Sequence, residues 1–598
     1  MENQVIIHDA REKQWLHFRN VRHVITANTI DDVVSALNTV ERMVYEQGFF
    51  AAGFISYEAS PAFDPSFRVR SSSSFPLLWF GLYAAPDIIK LPDVPLFSAE
   101  IPINWNPSID RRTYNEAISR IKDYIARGET YQVNYTYRLH APFFADPWHL
   151  FRRIIQAQQA EYGAYLDTGR FAVCSASPEL FFHLNGSGLT TRPMKGTASR
   201  GLTLSEDKAR ADWLYNSEKN RAENIMIVDM IRNDLGRIAE TGSVKVLRLF
   251  DIERYPTVWQ MTSTVTAESS ASVCEILSAL FPCASITGAP KSNTTRIIAG
   301  LETTPRNIYT GCIGFITPER KAQFNVAIRT VLVDRELKLA EYGVGGGIVW
   351  DSSSTEEYEE CQTKSQVLMK KTTGFSLLET LLYTQEEKYF LLDYHLRRLR
   401  DSAEYFGIPV SMEHVLKKLE NREESFPAFP QKVRVLVSQE GDISCEYSPL
   451  DNTAPARPVR LGLASKAVDS KNPYVYHKTT NREVYESAVT DSADCDDILL
   501  WNEHGEITET TIANVVFRLH GELVTPPVTC GLLPGTYRAW LLDRNIIKEK
   551  IITLNDLKRC DSVHVINSVR KKREAILIGY ENLSRAPEII EIPRLTLP

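Results

Sequence analysis

Hydrophobic residues recur at helical spacing along residues 112–127. One face of such a helix would carry Tyr114, Ile118, Ile121 and Ile125. Gly128 follows where a glycine commonly ends a helix. The pattern therefore predicts an amphipathic helix.

The next segment, YQVNYTYRL at residues 131–139, changes to a period of two. In a strand, alternate residues point to opposite faces. One face would carry Tyr131, Val133, Tyr135, Tyr137 and Leu139, and the other Gln132 and Asn134. The pattern predicts a strand with an aromatic face and a polar face.

Helical and strand patterns mix in this way on both sides of a polar seam, MKKTTG, at residues 369–374. The chain has 598 residues, whereas domains usually have about 100–200. We therefore expect α/β and α+β layers in two domains, 1–369 and 375–598, joined by a linker at 370–374.

Charge and composition exclude several classes. A net charge of −7 and a pI near 6.0 do not suit a nucleic-acid binder. The first residues lack the pattern of a signal peptide, and no apolar run reaches the roughly 18 residues of a membrane span. The nine scattered cysteines show no zinc spacing, so reduced thiols and a cytoplasmic location are expected.

Four acidic residues in the first half are candidates for chemistry. Glu179 and Glu223 have apolar neighbours, while Glu357, Glu360 and Lys364 share one helical face. Each acid alone is most simply explained by an ion pair. Several carboxylates without His or Cys ligands would instead suit Mg²⁺.

Anion binding is suggested by two glycine-containing segments and one arginine. TGAPK at residues 287–291 and GVGGGI at 343–348 would let backbone N–H groups approach a ligand, although either alone is more often a turn. Arg329 lies in an apolar, strand-like run and needs an anion from the protein or a substrate.

Nine motifs in this half resemble those of the chorismate-utilising enzymes, which include anthranilate, aminodeoxychorismate, isochorismate and salicylate synthases. In order they read YQVN, SPELF, RPMKGT, RAENIMIVDMIRNDLGR, TGAPK, YTGCIGF, NVAIRT, GVGGGIVWDS and EYEECQTK. The resemblance spans roughly residues 50–368. It implies a β-sandwich with surrounding helices.

Two residues favour the aminodeoxychorismate synthase branch. In RPMKGT, Lys195 stands where anthranilate synthases have alanine, and the family uses this lysine as a covalent nucleophile. Gln132 stands where water-adding members have lysine. The departures are Gln260, where relatives often have histidine, and Ala284, where they usually have glycine.

The resemblance also implies site roles. Lys195 would attack chorismate while Glu179 protonates its leaving hydroxyl, and Glu223 and Glu360, with Glu357 nearby, would hold Mg²⁺. The substrate-binding residues would be Gln132, Thr287, Gly288, Tyr309, Arg329, Gly345, Gly346, Gly347 and Lys364.

Residues 375–598 resemble the class IV aminotransferases and aminodeoxychorismate lyases, and a two-subdomain fold that binds pyridoxal phosphate is implied. By this resemblance Lys478 bonds the cofactor, Glu509 meets its ring nitrogen and Arg398 binds its phosphate. Thr536, Tyr537 and Ser568 would complete the phosphate site. Thr380 would lie near the proton that a lyase removes. Threonine is usual at position 537, so only a backbone contact is expected there.

The motifs of the second half do not separate a lyase from an aminotransferase. The first half would make the substrate of the lyase, and this context favours the lyase. The partners implied are chorismate, ammonia and a separate glutaminase, with a homodimer through the second half as a further option. The alternatives are an anthranilate-type synthase fused to an aminotransferase, and a non-catalytic module that senses chorismate or tryptophan.

Overall fold

The computed structural model describes residues 2–71, 74–91, 103–368, 374–423, 426–450, 457–488 and 495–578. Two compact units emerge: Met1–Arg200 with Arg210–Thr372, and Gly201–Ala209 with Thr373–Pro598. Of the predicted linker 370–374, only Gly374 lies within the described residues, so the boundary there stays a prediction. Among the described helices, none is both long and apolar enough to span a membrane.

Strands and helices alternate in the first half of the chain. The strands are β1 (Gln4–Asp9), β2 (Gln14–Phe18), β3 (His23–Ala27), β4 (Phe50–Ile55), β5 (Leu78–Tyr83), β6 (Asp87–Ile89), β7 (Asn106–Pro107), β8 (Gln132–Pro142), β9 (Tyr162–Asp167), β10 (Phe171–Ser177), β11 (Leu180–Asn185), β12 (Gly188–Arg192), β13 (Met194–Ser199), β14 (Lys245–Arg254), β15 (Val258–Glu268), β16 (Gly288–Ala289), β17 (Cys312–Thr317), β18 (Lys321–Val326), β19 (Thr330–Asp334) and β20 (Leu339–Ile348). The helices are α1 (Ile30–Gln47), α2 (Arg111–Ala126), α3 (Pro147–Gln158), α4 (Leu204–Asn216), α5 (Glu218–Gly236), α6 (Val273–Leu280), α7 (Lys291–Leu301) and α8 (Ser354–Ser365).

The first unit is a β-sandwich with helices on its outer faces, as expected. One sheet has the order β16-β8-β20-β19-β10-β9-β1-β2-β6, with β7 on β8, and the other β13-β15-β12-β11-β18-β17-β4-β5-β3, with β14 on β15. Alternate side chains of β1 pack on opposite faces of its sheet. Val5 and Ile7 join a core shared by both sheets, whereas Ile6 packs in a core with α2 and α3.

The two patterns read first from the sequence appear as α2 and β8. Helix α2 ends at Ala126, and Gly128 has a φ of 71°. Along β8, Val133, Tyr135 and Tyr137 face the helices. Tyr131, however, precedes the strand and is 70% exposed, so its place on the aromatic face was wrong. Gln132 and Asn134 are buried on the opposite face.

The second half contains a smaller and a larger sheet, which form the two expected subdomains. Its strands are β21 (Leu377–Thr384), β22 (Lys388–Tyr389), β23 (Gln431–Val437), β24 (Ile443–Pro449), β25 (Val459–Leu463), β26 (Asp497–Trp501), β27 (Ile507–Thr510), β28 (Asn514–Leu519), β29 (Glu522–Thr525), β30 (Lys548–Glu549), β31 (Ser562–Asn567) and β32 (Lys571–Leu577). Its helices are α9 (Leu392–Phe406), α10 (Met412–Glu423), α11 (Glu483–Ala488) and α12 (Thr536–Asp543). The sheet orders are β22-β21-β23-β24 and β27-β26-β25-β32-β31-β28-β29-β30.

The second unit also includes the distant segment Gly201–Ala209. The Tyr405 hydroxyl donates to the Gly201 carbonyl at 2.9 Å, and the His477 ring lies 3.2 Å from the Leu202 carbonyl. This unit is therefore discontinuous in sequence.

Candidate functional site

A cavity of about 470 Å³ in the first unit collects most of the residues predicted for that half. Its lining includes Glu179, Lys195, Glu223, Tyr309, Arg329, Gly345, Gly347, Glu357, Glu360 and Lys364. These residues come from segments nearly 190 positions apart.

Lys195 on β13 is the central cation of this cavity. Burial lowers the pKa of its amino group, Glu223 opposes this shift, and nearby Lys364 adds to it. The amine also lies against β20 and Gln132, because a Cβ atom at Gly347 would be 2.8 Å from Nζ and 2.6 Å from Gln132 Nε2. A desolvated lysine with a lowered pKa is suited to act as a nucleophile.

Glu179 lies between β10 and β11 and is 2% exposed. Ser285 Oγ donates to its Oε1 at 2.6 Å. Burial raises the pKa of Glu179 to about 7, although Ser285 and Lys195 favour the ionised form. The carboxyl group can therefore hold a proton near neutral pH and release it to a ligand. Sequence patterns did not identify Ser285, which is 106 residues away from its partner.

The three glutamates expected to hold a metal have separate hydrogen-bond partners. Gln132 Nε2 donates to Glu223 at 3.1 Å, Ser352 Oγ to Glu357 at 2.6 Å, and Lys364 pairs with Glu360 at 2.6 Å. In the described part of the chain, no cluster of three acidic, histidine or cysteine side chains forms a ready-made metal site.

The donor chemistry nevertheless fits Mg²⁺. Burial raises the pKa of Glu223, and burial together with the neighbouring Glu360 raises the pKa of Glu357 to about 7. The absent side chain of Gly346 leaves a space in which a Cβ atom would be 3.0 Å from Glu357 Oε2 and 3.9 Å from Glu360 Oε1. Oxygen-only donors with one or two carboxylates are what Mg²⁺ usually receives from a protein.

The glycine-rich segment forms part of β20, so the alternative of a simple turn is wrong, and the expected contact of its backbone with an anion stays a prediction. Strand β20 pairs with β8 from Leu339 to Ile348. Its missing side chains make room for the site: a Cβ atom at Gly343 would be 2.1 Å from the Tyr309 ring. Glycine is needed here for close approach.

Arg329 is buried, with a φ of 51°, and its Nη1 donates to Gln158 Oε1 at 2.7 Å. Gln158 ends α3 and was not identified from sequence. Thr287 and Gly288 are not among the described residues that line this cavity, so their expected part in substrate binding stays a prediction. Gly288 pairs with Val133, and a Cβ atom there would be 2.1 Å from the Gln132 carbonyl. The Thr287 carbonyl also accepts a hydrogen bond from the Asn134 amide of β8 at 2.9 Å.

A second cavity, of about 350 Å³, lies within the second unit. Its lining includes six residues predicted for that half, namely Thr380, Arg398, Lys478, Glu509, Thr536 and Ser568.

Lys478 and Glu509 are the buried base and acid of this cavity. Burial and then Arg398 lower the pKa of Lys478 to about 8. Burial raises the pKa of Glu509 to about 7. Three donors hold the carboxylate: the Tyr485 hydroxyl at 2.9 Å, Asn514 Nδ2 at 3.0 Å and the Leu533 amide at 3.1 Å. The protonated ring nitrogen of pyridoxal phosphate, placed against Glu509, would favour the ionised carboxylate.

Arg398 is fixed by an acid that the sequence patterns did not reveal. Its Nε and Nη2 donate to the two oxygens of Glu379 at 2.8 and 2.7 Å. The same carboxylate contacts His395 Nδ1 at 2.6 Å, and His395 Nε2 lies 3.3 Å from the Thr536 hydroxyl. Burial opposes ionisation of Glu379, but Arg398 and His395 outweigh it and hold its pKa at about 2.

The start of α12 supplies the remaining features expected of a phosphate site. The first N–H groups of a helix are free to bind an anion, and here Gly535 precedes Thr536 and Tyr537 without a side-chain cap. The Tyr537 ring packs against Phe390 and Trp540, so only its amide remains for the cavity. The residues fit pyridoxal phosphate.

Comparison with known proteins identifies the two regions. Residues 92–370 match the chorismate binding enzyme family, and residues 376–576 match amino-transferase class IV. Both resemblances read from the motifs are confirmed.

Two curated relatives match the first region. Aminodeoxychorismate synthase component 1 of Escherichia coli (strain K12) is 39% identical over 270 residues, 45% of this chain and 59% of that protein. Anthranilate synthase component 1 of Aquifex aeolicus (strain VF5) is 36% identical over 270 residues, 45% of this chain and 54% of that protein. The chain thus spans less than two thirds of the length of these relatives.

A solved structure supports the fold of the first unit. Anthranilate synthase component I from Streptococcus pneumoniae TIGR4 matches with a TM-score of 0.52 and 23% identity, covering 61% of this chain and 92% of that chain.

Proposed function

We propose that this chain, which joins a chorismate binding enzyme domain to a class IV aminotransferase domain, makes 4-aminobenzoate from chorismate in two steps. The first step would aminate chorismate at C4, and the second would eliminate pyruvate from 4-amino-4-deoxychorismate. The observation that carries the proposal is the buried amine of Lys195 in one cavity with the protonatable Glu179.

In the first step, the neutral Lys195 amine would form a bond to ring C2 of chorismate. The two conjugated ring double bonds, C1=C2 and C5=C6, would shift to C1=C6 and C4=C5 as the C4–O bond breaks, and Glu179 would donate its proton so that water leaves. Ammonia would then bond to C4, both double bonds would shift back, and the C2–N bond to Lys195 would break. This step needs a neutral amine and a protonated carboxyl group. The lowered pKa of Lys195 and the raised pKa of Glu179 favour these two forms.

Substrate binding in this cavity would use the Arg329 guanidinium and the glutamate carboxylates. Arg329, which Gln158 orients, would bind the enolpyruvyl carboxylate together with Tyr309 and the backbone at Gly345. Glu223 and Glu360, with Glu357 nearby, would hold Mg²⁺, which supplies positive charge for the ring carboxylate.

In the second step, the Lys478 amine would remove the C4 proton of the bound aminodeoxychorismate near Thr380. The C3–O bond would break, and the departing enolpyruvate would take up a proton to become pyruvate. Pyridoxal phosphate, held by Lys478, Glu509, Arg398, Thr536, Ser568 and the Tyr537 amide, supplies the electron sink for this proton removal. Loss of pyruvate would leave an aromatic ring. The pKa of Lys478, near 8, suits an amine that must lose and regain a proton near neutral pH.

Ammonia would come from a separate glutaminase. None of the nine cysteines in this chain lies in the Gly-x-Cys-x-Gly setting of such enzymes. We also propose a cytoplasmic role in folate synthesis, and a homodimer through the second half.

The test is incubation of the full chain with chorismate, Mg²⁺, pyridoxal phosphate and ammonium chloride, followed by product identification. We expect 4-aminobenzoate and pyruvate in equal amounts. Anthranilate as the main product would contradict the proposal and favour an anthranilate-type synthase fused to an aminotransferase. Absence of Mg²⁺-dependent turnover would favour a sensing module.

A further inference from the structure

The cavity of the second unit has a strong excess of positive charge. Its described lining contains six lysine and arginine side chains and one carboxylate, Glu509. The cations are Arg398, Lys432, Arg434, Lys478, Arg482 and Arg570. Such a cavity suits a ligand that carries several negative charges.

Three of these cations have other tasks. Arg398 is paired with Glu379 at the proposed phosphate site, and Lys478 would bond the cofactor. Arg482 donates to the Thr511 carbonyl and stacks 4.7 Å from the centre of the Tyr485 ring. Lys432, Arg434 and Arg570 therefore remain for a further anion.

The register of two strands places Arg434 beside the reacting part of the cavity. On β23, Val433 and Val435 point into the hydrophobic core, so Arg434 lies on the opposite face. In the antiparallel pair of β21 and β23, Arg434 is the direct partner of Thr380. Residues so paired have Cβ atoms about 5 Å apart and share a face.

Arg434 already has one carboxylate partner. Its Nη1 donates to Glu446 Oε2 at 3.0 Å across β23 and β24. The two side chains are 40% and 57% exposed, so this pair is weak and exchangeable. A guanidinium group also has five N–H donors, which leaves several for a ligand. Within the described residues, neither Lys432 nor Arg570 makes an ion pair.

We propose that Arg434, with Lys432 and Arg570, forms a carboxylate-binding subsite that selects substrates with two carboxylates. This inference rests on the proposed function, whose second substrate has one carboxylate on its ring and one on its enolpyruvyl group. The planar guanidinium of Arg434 matches a carboxylate in a two-point contact. The subsite distinguishes this cavity from one built for amino acids with a single carboxylate.

The test compares two probes, isophthalate with two carboxylates and benzoate with one. Each is titrated into the full chain loaded with pyridoxal phosphate, and binding is followed by the visible absorbance of the cofactor. We expect isophthalate to bind about tenfold more tightly than benzoate, and Arg434→Gln to remove most of that preference. Arg434→Lys, which keeps the charge without the planar group, should retain an intermediate preference.

The matched control is Arg400→Gln, which removes the same charge from an exposed position of α9 outside the cavity. It should leave the preference unchanged. For pyruvate release from 4-amino-4-deoxychorismate, Arg434→Gln should raise KM by about tenfold with a smaller change in kcat.

The outcomes separate the two proposals. A dicarboxylate preference that depends on Arg434, without pyruvate release by the unaltered chain, would support the subsite and contradict the lyase function. Pyruvate release with an equal preference in the unaltered chain and Arg434→Gln would overturn the subsite.

Discussion

Gly347 lies directly against the amino group of Lys195: a Cβ atom at position 347 would be only 2.8 Å from Nζ. Both groups that such an atom would meet, Lys195 Nζ and Gln132 Nε2, are the ends of flexible side chains. The protein can therefore accept a methyl group here by moving the amine.

Gly347→Ala should accordingly reduce activity more than stability. A displacement of about 1 Å at a reacting group can cost about 100-fold in rate, and we expect a loss of this order in amination of chorismate. Pyruvate release from added aminodeoxychorismate should be unchanged. Gly300→Ala is the control, because a Cβ atom there meets nothing within 4 Å. Full amination activity in Gly347→Ala would show that the position of Lys195 is not critical.

Lys195→Ala removes the proposed nucleophile. We expect formation of 4-aminobenzoate to fall by roughly 1,000-fold or more, because the covalent route is lost. Anthranilate can appear instead, since alanine is what anthranilate synthases have at this position. Lys245→Ala, at an exposed position of β14, should have normal activity. Undiminished 4-aminobenzoate output from Lys195→Ala would refute the role.

The pH dependence of amination should reflect Glu179. Burial raises the pKa of Glu179 to about 7, and the proposed acid must be protonated. The rate at a constant concentration of free ammonia should therefore fall as pH rises through about 7. Lys195 must be neutral, so its titration acts in the opposite sense and limits the rate at lower pH.

Glu179→Gln should remove this alkaline decline and lower the rate by roughly 100- to 10,000-fold. Glu58→Gln is the control. Glu58 is also buried, with a pKa raised to about 7, but it is outside the described lining of the cavity. An unaltered alkaline decline in Glu179→Gln would assign the titration to another group.

Glu223→Gln and Glu360→Gln should each raise the Mg²⁺ concentration that amination requires, because each removes one anionic oxygen donor. Added Mg²⁺ should restore activity only in part. Glu359→Gln, an exposed neighbour on α8, should behave like the unaltered chain. Activity of both variants in the presence of EDTA would contradict the metal assignment.

Lys478→Ala should abolish the visible absorbance of bound pyridoxal phosphate and stop pyruvate release. Because Lys195 lies in a different cavity, the first step should continue, and aminodeoxychorismate should accumulate. The exposed Lys471→Ala serves as the control. Formation of 4-aminobenzoate by Lys478→Ala, with no other lyase present, would show that the second half is not the lyase.

The sequence predicted those parts of the fold and site that local patterns encode. The periods of α2 and β8 follow from side-chain direction, and the motifs contained Lys195, Glu179, Lys478 and Glu509. Tyr131 was placed wrongly because strand ends are set by pairing, which period alone does not show.

The supporting residues were missed because their partners are distant in sequence or lie on another element. Ser285 meets Glu179, and Gln158 meets Arg329 across 171 residues. The sequence did not show a role for Glu379, because its partners Arg398 and His395 lie on α9 and contact it only in the folded chain. For the glycines of β20, the sequence left open whether they form a turn or let the backbone approach a ligand. The structure shows a strand in which the Tyr309 ring and the ends of the Lys195 and Gln132 side chains occupy the space that two of these glycines, Gly343 and Gly347, leave.

The membership of Gly201–Ala209 in the second unit has a practical consequence for dividing the protein. A gene cut within the predicted linker 370–374 would encode a C-terminal fragment without the acceptors of Tyr405 and His477, the latter adjoining Lys478. Expression of that fragment alone would therefore not reproduce the second unit. If the protein is expressed as two complementing fragments, the N-terminal fragment would have to supply this nine-residue segment to the second unit.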